Sequence, residues 1–358
     1  MKDLELLKKL TSADGIGSRE DEVRNIMKDE FLKYVSKNNI EYDGLGSIVA
    51  KKVGLENGPK IMLAAHMDEV GMIVSKITPE GFIKFQTVGD WWSQVMLAQK
   101  VTITTRTGKK YRGVLGSIPP HILTANDLKN PVKIEDTYID LGVSSQKEVE
   151  DLGISIGDMI TPYLEFEVMN NEDYLLAKAW DNRIGCAMAI KVLEELNNVE
   201  HPNIIYSVGT VQEEIGYRGA KTAANLVEPD IAIALDVSIA KDVPGADRAT
   251  KLGDGPGLLI YDSQLVGHVG LRNKIIEIAE ELNIPYQFDY LKTSGTDSGK
   301  MHTVHAGCPA ISFCIETRYI HSHTSIISKK DYENSVKLIV ELIKRLDRKT
   351  VDQITYDE

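Results

Sequence analysis

The stretch Ile61-Met62-Leu63-Ala64-Ala65-His66-Met67-Asp68-Glu69 decides how the chain is read. A compact apolar run that stops abruptly at His66 and Asp68 reads as a core strand whose end carries polar, metal-competent groups. The same pattern recurs. Residues 204–211 form an apolar run leading to Glu213-Glu214, residues 231–235 lead to Asp236, and residues 310–315 lead to His321. Between these runs lie helical stripes. Residues 184–196 are apolar on much of their surface, and Leu271, Ile275, Ile278, Ala279 and Leu282 recur at helical spacing. Ser328 to Asp331 opens a last helix whose Val336, Ile339, Val340, Ile343 and Leu346 face inward. Nearer the start, Ser18 to Asp21 has capping-box spacing ahead of Val23, Ile26, Met27, Phe31 and Tyr34, and a short strand is expected at 48–50. Strands alternating with helices predict a three-layer α/β/α domain around a mostly parallel sheet.

From about residue 70 to residue 165 the texture changes. Short β-like runs at 72–77, 82–87, 100–105 and 111–115 alternate with Pro79-Glu80-Gly81 and Thr107-Gly108 turn signals. Helical periodicity is nearly absent until 145–152. This is the pattern of a small β-rich, barrel-like or PDZ-like domain. It interrupts the α/β pattern, so residues 1–69 and 166–358 are expected to form one domain and 70–165 an insertion.

Composition narrows the function. The 358 residues carry a formal net charge of −12, which argues against a nucleic-acid partner because phosphate binding rests on Lys and Arg. Cysteine occurs only at 186, 308 and 314, too sparse and unpaired for a disulfide framework. The opening Met1-Lys2-Asp3-Leu4-Glu5 has no continuous apolar core, and no stretch approaches the ~18–20 apolar residues of a membrane span. A cytoplasmic protein without membrane or nucleic-acid partners is the expectation.

In open α/β sheets ligands bind beyond the carboxyl ends of the strands. His66, Glu213-Glu214, Asp236 and His321 all fall there. Asp181, in Lys178-Ala179-Trp180-Asp181-Asn182-Arg183, stands just before a buried helix. Taken singly, Asp181 or Asp236 reads as a turn former or helix cap, and paired glutamates as solvated surface. The set weighs more. A mixed His/carboxylate group without cysteine suits Zn²⁺, Co²⁺ or Mn²⁺ in a catalytic rather than a closed structural site. Five ligands exceed the need of one open site and fit two ions sharing a carboxylate, roughly 3.5–4 Å apart.

The runs Ala65-His66-Met67-Asp68-Glu69-Val70-Gly71, Ala179-Trp180-Asp181-Asn182-Arg183, Gln212-Glu213-Glu214-Ile215-Gly216 and Ala234-Leu235-Asp236 resemble the M42 metallopeptidases. So do Ser294-Gly295-Thr296-Asp297 and Thr317-Arg318-Tyr319-Ile320-His321-Ser322. These are glutamyl- and leucyl-type aminopeptidases that assemble into tetrahedral twelve-subunit shells. The resemblance covers essentially the whole chain. It implies that His66 and Asp236 hold one metal, that Glu214 and His321 hold the other, and that Asp181 bridges them. It also implies that Glu213 is the general base and that Asp68 orients His66. His323 stands where proline is more common in the family and is the alternative to His321 as ligand. A non-proline cis peptide at Asp181–Asn182 is a further family trait. Gly295-Thr296-Asp297 is expected near the substrate, whereas His302 and His305 are given ordinary polar roles. Peptides are the implied substrate and a homododecamer the implied assembly.

Two other classes compete. Some members of this family bear an endoglucanase name, which would use carboxylates as a glycosidase pair. A non-catalytic, shell-forming scaffold would keep the fold and lose a ligand or the base. Glu213 and Glu214 pose a geometric demand of their own. Neighbours on a strand point to opposite faces, so the strand must end before Glu213 if both are to reach one site. The preferred N-terminal residue is open, with Arg248, Lys251 and Arg318 as unranked candidates for an acidic-specific pocket.

Overall fold

The computed structural model describes residues 2–356. Helices α1 (Lys2–Ser12) and α2 (Asp21–Phe31) lead into strands β1 (Ile40–Tyr42), β2 (Ile48–Val53) and β3 (Lys60–His66). Six strands follow: β4 (Gly71–Ile77), β5 (Ile83–Val88), β6 (Lys100–Thr104), β7 (Lys110–Gly116), β8 (Tyr138–Asp140) and, after α3 (Gln146–Asp151), β9 (Met159–Pro162). They close into a barrel in the order β4-β5-β8-β7-β6-β9. The barrel is filled by Met72, Val74, Ile83, Val101, Ile103, Leu115, Ile139 and Ile160, the inward-facing half of each alternation.

Strands β10 (Glu167–Val168) and β11 (Tyr174–Ala177) return the chain to α4 (Trp180–Glu195). Then come β12 (Ile204–Thr210), α5 (Arg218–Val227), β13 (Ile231–Ile239), β14 (Gly257–Tyr261), α6 (Val269–Glu281) and β15 (Gln287–Tyr290). The last elements are α7 (Ser298–Met301), β16 (Ala310–Thr317), β17 (Ser325–Ser328), α8 (Lys329–Ile343) and α9 (Arg348–Tyr356). The main sheet has the order β1-β2-β12-β3-β13-β16-β14-β15. Its central strands β12, β3, β13 and β16 are parallel, whereas β2 and β14 join antiparallel at either side. The expected parallel sheet is thus its centre, and the edges are mixed. Strands β10, β11 and β17 form a small third sheet.

Alternation sorts the core into two layers. Ile61, Leu63 and Ala65 of β3, with Ile231, Ile233, Leu235 and Val237 of β13, pack with α1, α2, α4, α6 and α8. Met62, Ala64, Ala232 and Ala234 face the opposite way, onto α5 and the Met301 end of α7. Helix α4 lies so close to β13 that a Cβ on Gly185 would stand 2.3 Å from the Leu235 carbonyl oxygen. Among the described residues no helix is long and apolar enough to cross a membrane.

Two local expectations are corrected. No capping box forms at Ser18, whose φ is +73° and whose amide donates to Glu20 Oε1 (2.9 Å). Helix α2 begins at Asp21 because the buried Glu20 carboxylate is engaged elsewhere, also accepting from the Gln212 amide (3.1 Å). Asp236 lies inside β13, not at its end, since the strand runs on to Ile239. At the C-terminal side, Ser328 does cap α8, its Oγ accepting from the Asp331 amide (3.2 Å).

The α4–β13 contact is testable. Gly185→Ala is expected to cost about 1–3 kcal/mol, the ordinary range for overpacking. Thermal melts should show the loss, and a melting temperature equal to that of the parent chain would refute the close approach.

Candidate metal centre

Five segments converge at the C-terminal side of the parallel strands. His66 is the last residue of β3, and Asp236 points from β13 to the layer opposite Leu235 and Val237. Asp181 is in the first turn of α4, where Asp181 and Asn182 depart from helical geometry and the peptide between them is cis. Asn182 is anchored on both sides, its Nδ2 donating to the Leu235 carbonyl (2.8 Å) and its Oδ1 accepting from the Gly185 amide (3.0 Å). His321 lies four residues past β16 in a loop where both Tyr319 and His321 take positive φ.

The demand posed by Glu213 and Glu214 is met. Strand β12 stops at Thr210, and Gln212 takes φ +58°, so the next two residues form a turn rather than a pleat. Asp68 holds that turn. Its Oδ1 accepts from the Glu213 amide (3.0 Å) and its Oδ2 from the Glu214 amide (3.2 Å). The His66 Nδ1 lies nearer the Asp68 main-chain carbonyl (2.9 Å) than the Asp68 carboxylate (3.6 Å). Asp68 therefore orients the imidazole chiefly through its backbone, while its side chain positions the two glutamates. That second task was not expected from the sequence.

Asp181 is shared. Its Oδ1 is 3.1 Å from His66 Nε2 and its Oδ2 is 3.3 Å from His321 Nε2. Beyond it, His66 Nε2 stands 3.7 Å from Asp236 and 3.8 Å from Glu213, and His321 Nε2 stands 3.5 Å from Glu214. Ligand-capable atoms of His66, Glu213 and Asp236 lie within 4.8 Å of one another, as do those of His66, Asp181 and Glu214. Glu213 is thus as close to His66 as Asp236 is.

The electrostatics of this cluster call for positive charge. Burial pushes the Glu214 and Asp236 carboxyls up to about 8, with Asp181 adding to both shifts. Burial likewise drives Glu213 well above the carboxylate range, and Glu214 and Asp236 add to it. Burial opposes a charged His321, yet the carboxylates of Glu214 and Asp181 raise it to about 10. Glu214 Oε1 is buried without a hydrogen-bond partner. A crowded His/carboxylate set with an orphaned buried oxygen fits divalent cations, which neutralise such charge and take oxygen and imidazole ligands.

The surroundings are also built. Asp297 lies behind the site and accepts from Thr210 Oγ1 (2.5 Å), while Thr296 Oγ1 meets the hydroxyls of Ser298 (2.7 Å) and Ser312 (2.6 Å). Gly295 and Thr296 line the cavity. Tyr217, not singled out in the sequence, lines it too, and its hydroxyl accepts from the Gly295 amide (3.0 Å). A tyrosine just after Glu213-Glu214-Ile215-Gly216 was the available signal. Asp90, from the barrel, completes the rim. His323 is buried away from the cluster, its ring 5.4 Å from that of Trp91, and His302 contacts Ser298 O (3.1 Å) outside it. Arg248, Lys251 and Arg318 do not line the cavity.

Comparison with known proteins agrees with this architecture. The model of the M42 glutamyl aminopeptidase family matches residues 46–338. The glutamyl aminopeptidase of Lactococcus lactis subsp. cremoris (strain MG1363) is 35% identical over 350 residues, covering 97% of this chain and 98% of that protein. The crystal structure of a TET aminopeptidase from the marine sediment archaeon Thaumarchaeota archaeon SCGC AB-539-E09 superposes with a TM-score of 0.95. The two are 42% identical and 99% of each chain is covered. The Pyrococcus horikoshii TET1 peptidase, described as assembling into a tetrahedron or a large octahedral shell, has a TM-score of 0.85 at 29% identity. It covers 96% of this chain and 100% of its own. With the matched family model spanning most of its length and all the motif segments gathered at one centre, this chain belongs to the M42 family of aminopeptidases.

Proposed function

We propose that this aminopeptidase works with two divalent cations, zinc or cobalt, held by His66 and Asp236 on one side and Glu214 and His321 on the other, with Asp181 between them. The observation that carries the reading is the Asp181 carboxylate, whose two oxygens face two different imidazoles at 3.1 and 3.3 Å. The chemistry that such ions supply is polarisation of the scissile carbonyl and acidification of water.

The chain's own residues do the rest. Glu213, with a carboxyl pushed well up by burial, is suited to take the proton of the attacking water and return it to the leaving amine. Asp68 holds the Glu213 amide and so aims that carboxylate. A free α-amine would be met by a metal or by a nearby carboxylate such as Asp90 on the rim, which confines cleavage to peptide N-termini. In this reading residues 1–69 and 166–358 are the catalytic domain and 70–165 an inserted barrel domain. The protein acts in the cytoplasm; it self-associates into a homododecamer, a reading supported by its likeness to the solved PhTET1 dodecamer.

A glycosidase reading would use the carboxylates alone and leave His66 and His321 idle. It would also want aromatic platforms. Among the described residues lining the cavity, Tyr217 is the sole aromatic ring besides the two imidazoles. A scaffold reading requires a missing ligand or base, and His66, Asp181, Glu213, Glu214, Asp236 and His321 all stand at one centre.

Glu213→Gln should lower kcat by about 10²–10⁴-fold, the range for a general acid–base group, with metal content per chain unchanged. Elemental analysis checks the second half, and loss of metal from this variant would exchange the roles of Glu213 and Glu214. Asp181→Ala should instead lose metal and activity together. Chelation of the parent enzyme should abolish aminoacyl-anilide hydrolysis, and added Zn²⁺ or Co²⁺ should restore it. Hydrolysis that survives complete removal of metal would overturn the two-ion reading.

A further inference from the structure

The ligand cluster occupies only half of its cavity. The other half is walled by Val237, Ser238 and Ile239, which continue β13 past Asp236, and by Leu291 and Ile320. Ile320 and His321 come from one tight loop, so the same turn supplies a site histidine and a pocket wall. This apolar half lies next to the reacting centre, where the side chain of a substrate's first residue must go.

Resting on the aminopeptidase reading, we infer that this pocket takes uncharged aliphatic first residues such as leucine, isoleucine or methionine, and discriminates against glutamate and lysine. No Lys or Arg lines the cavity among the described residues. The nearby cations are engaged: Lys241 is paired with Asp289, Arg318 Nε donates to Asp242 (2.8 Å), and Lys251 is 3.3 Å from Asp254. Lys292, next to Leu291, turns over the Tyr290 ring at 5.9 Å. A substrate carboxylate would therefore lose its hydration with no charge to meet it.

The opposite choice fares no better. Ser238, which lines the pocket, donates its hydroxyl proton to Asp289 (2.5 Å). Asp289 and Glu316, the carboxylates behind this wall, are 1% and 0% exposed. A lysine ammonium cannot reach either. Asp90 is the other carboxylate of the rim and comes from the barrel side, whereas the apolar wall is supplied by β13, Leu291 and Ile320. Ile239 lines the cavity and is 41% exposed, open to an aliphatic chain.

The test is a panel of leucyl, methionyl, glutamyl and lysyl p-nitroanilides on the metal-loaded parent enzyme and on Ile239→Lys and Lys292→Ala. Leucyl or methionyl kcat/KM should exceed that for glutamyl and lysyl by about tenfold or more. Ile239→Lys, at an exposed position that tolerates a long side chain, should raise relative glutamyl kcat/KM about tenfold or more, mainly through KM. Lys292→Ala should leave the order unchanged. Calorimetric titration of leucine amide and glutamate amide should rank binding the same way. A parent enzyme that prefers glutamyl or lysyl substrates overturns this inference alone, as does a reversed order in Lys292→Ala. No hydrolysis of any anilide by metal-loaded protein overturns the aminopeptidase reading and the pocket assignment with it.

Discussion

A single buried guanidinium ties together the segments that carry His66 and Asp181. Arg183, fully buried, donates through Nε to the Met67 carbonyl (2.9 Å) and through Nη1 to the Leu10 and Ala13 carbonyls (2.8 Å each). Its Nη2 reaches the Gly15 carbonyl (3.3 Å) and Glu69 Oε1 (3.1 Å). Met67 and Glu69 flank Asp68, and Arg183 itself stands two residues past Asp181. The segment that carries His66 is thus tied to the segment that carries the shared carboxylate, and both are tied to the end of α1. An Arg so placed is stable only with every donor matched, because a buried charge that loses its partner costs about 3–5 kcal/mol.

The same network sets the barrel against the sheet. Lys178 Nζ joins Glu69 Oε1 (2.7 Å) to Asp14 Oδ1 (2.9 Å), and Asp14 also accepts from Thr161 Oγ1 of β9 (2.7 Å) and Lys110 Nζ of β7 (2.8 Å). Burial works against the Asp14 carboxylate, yet Lys178 and Lys110 hold it well below the usual range. The barrel then reaches the His/carboxylate centre directly. A Cβ on Gly89 would stand 2.7 Å from Val70 Cγ1 and 3.2 Å from Glu214 Oε2, and Gly89 has φ +78°. Glycine is required there by both space and backbone. Asp90 and Trp91 follow, one on the cavity rim and one against His323.

Strand β13 shows how a sheet divides labour between faces. Its odd-numbered Ile231, Ile233 and Leu235 fill the layer beneath α4, so Asp236 and Ser238 project into the other layer, while Val237, near the strand's end, borders both that core and the cavity. There Asp236 joins the ligand cluster and Ser238 the neighbouring pocket wall. Placing Asp236 within the strand, rather than after it, gives a rigid backbone to a carboxylate that also accepts from the Val237 amide (2.8 Å).

Strand positions were legible in the sequence for a local reason, and so were the His and carboxylate residues that the structure gathers at one centre. A buried strand must be an apolar run, and the polar residue that ends it is visible as a break, as at His66 and after Thr210. The failed cap at Ser18 has a longer-range cause, since Glu20 answers to Gln212, 192 positions away. The chain's order of residues alone determined the α/β pattern, the interrupting β segment and the list of metal-competent side chains. Tertiary structure alone decided that Asp181 faces two imidazoles, that Asp68 serves the glutamate turn, and that no lysine or arginine lines the adjoining pocket among the described residues. Those outcomes depend on which distant groups satisfy each buried charge and amide, and such pairings have no local signature in a sequence.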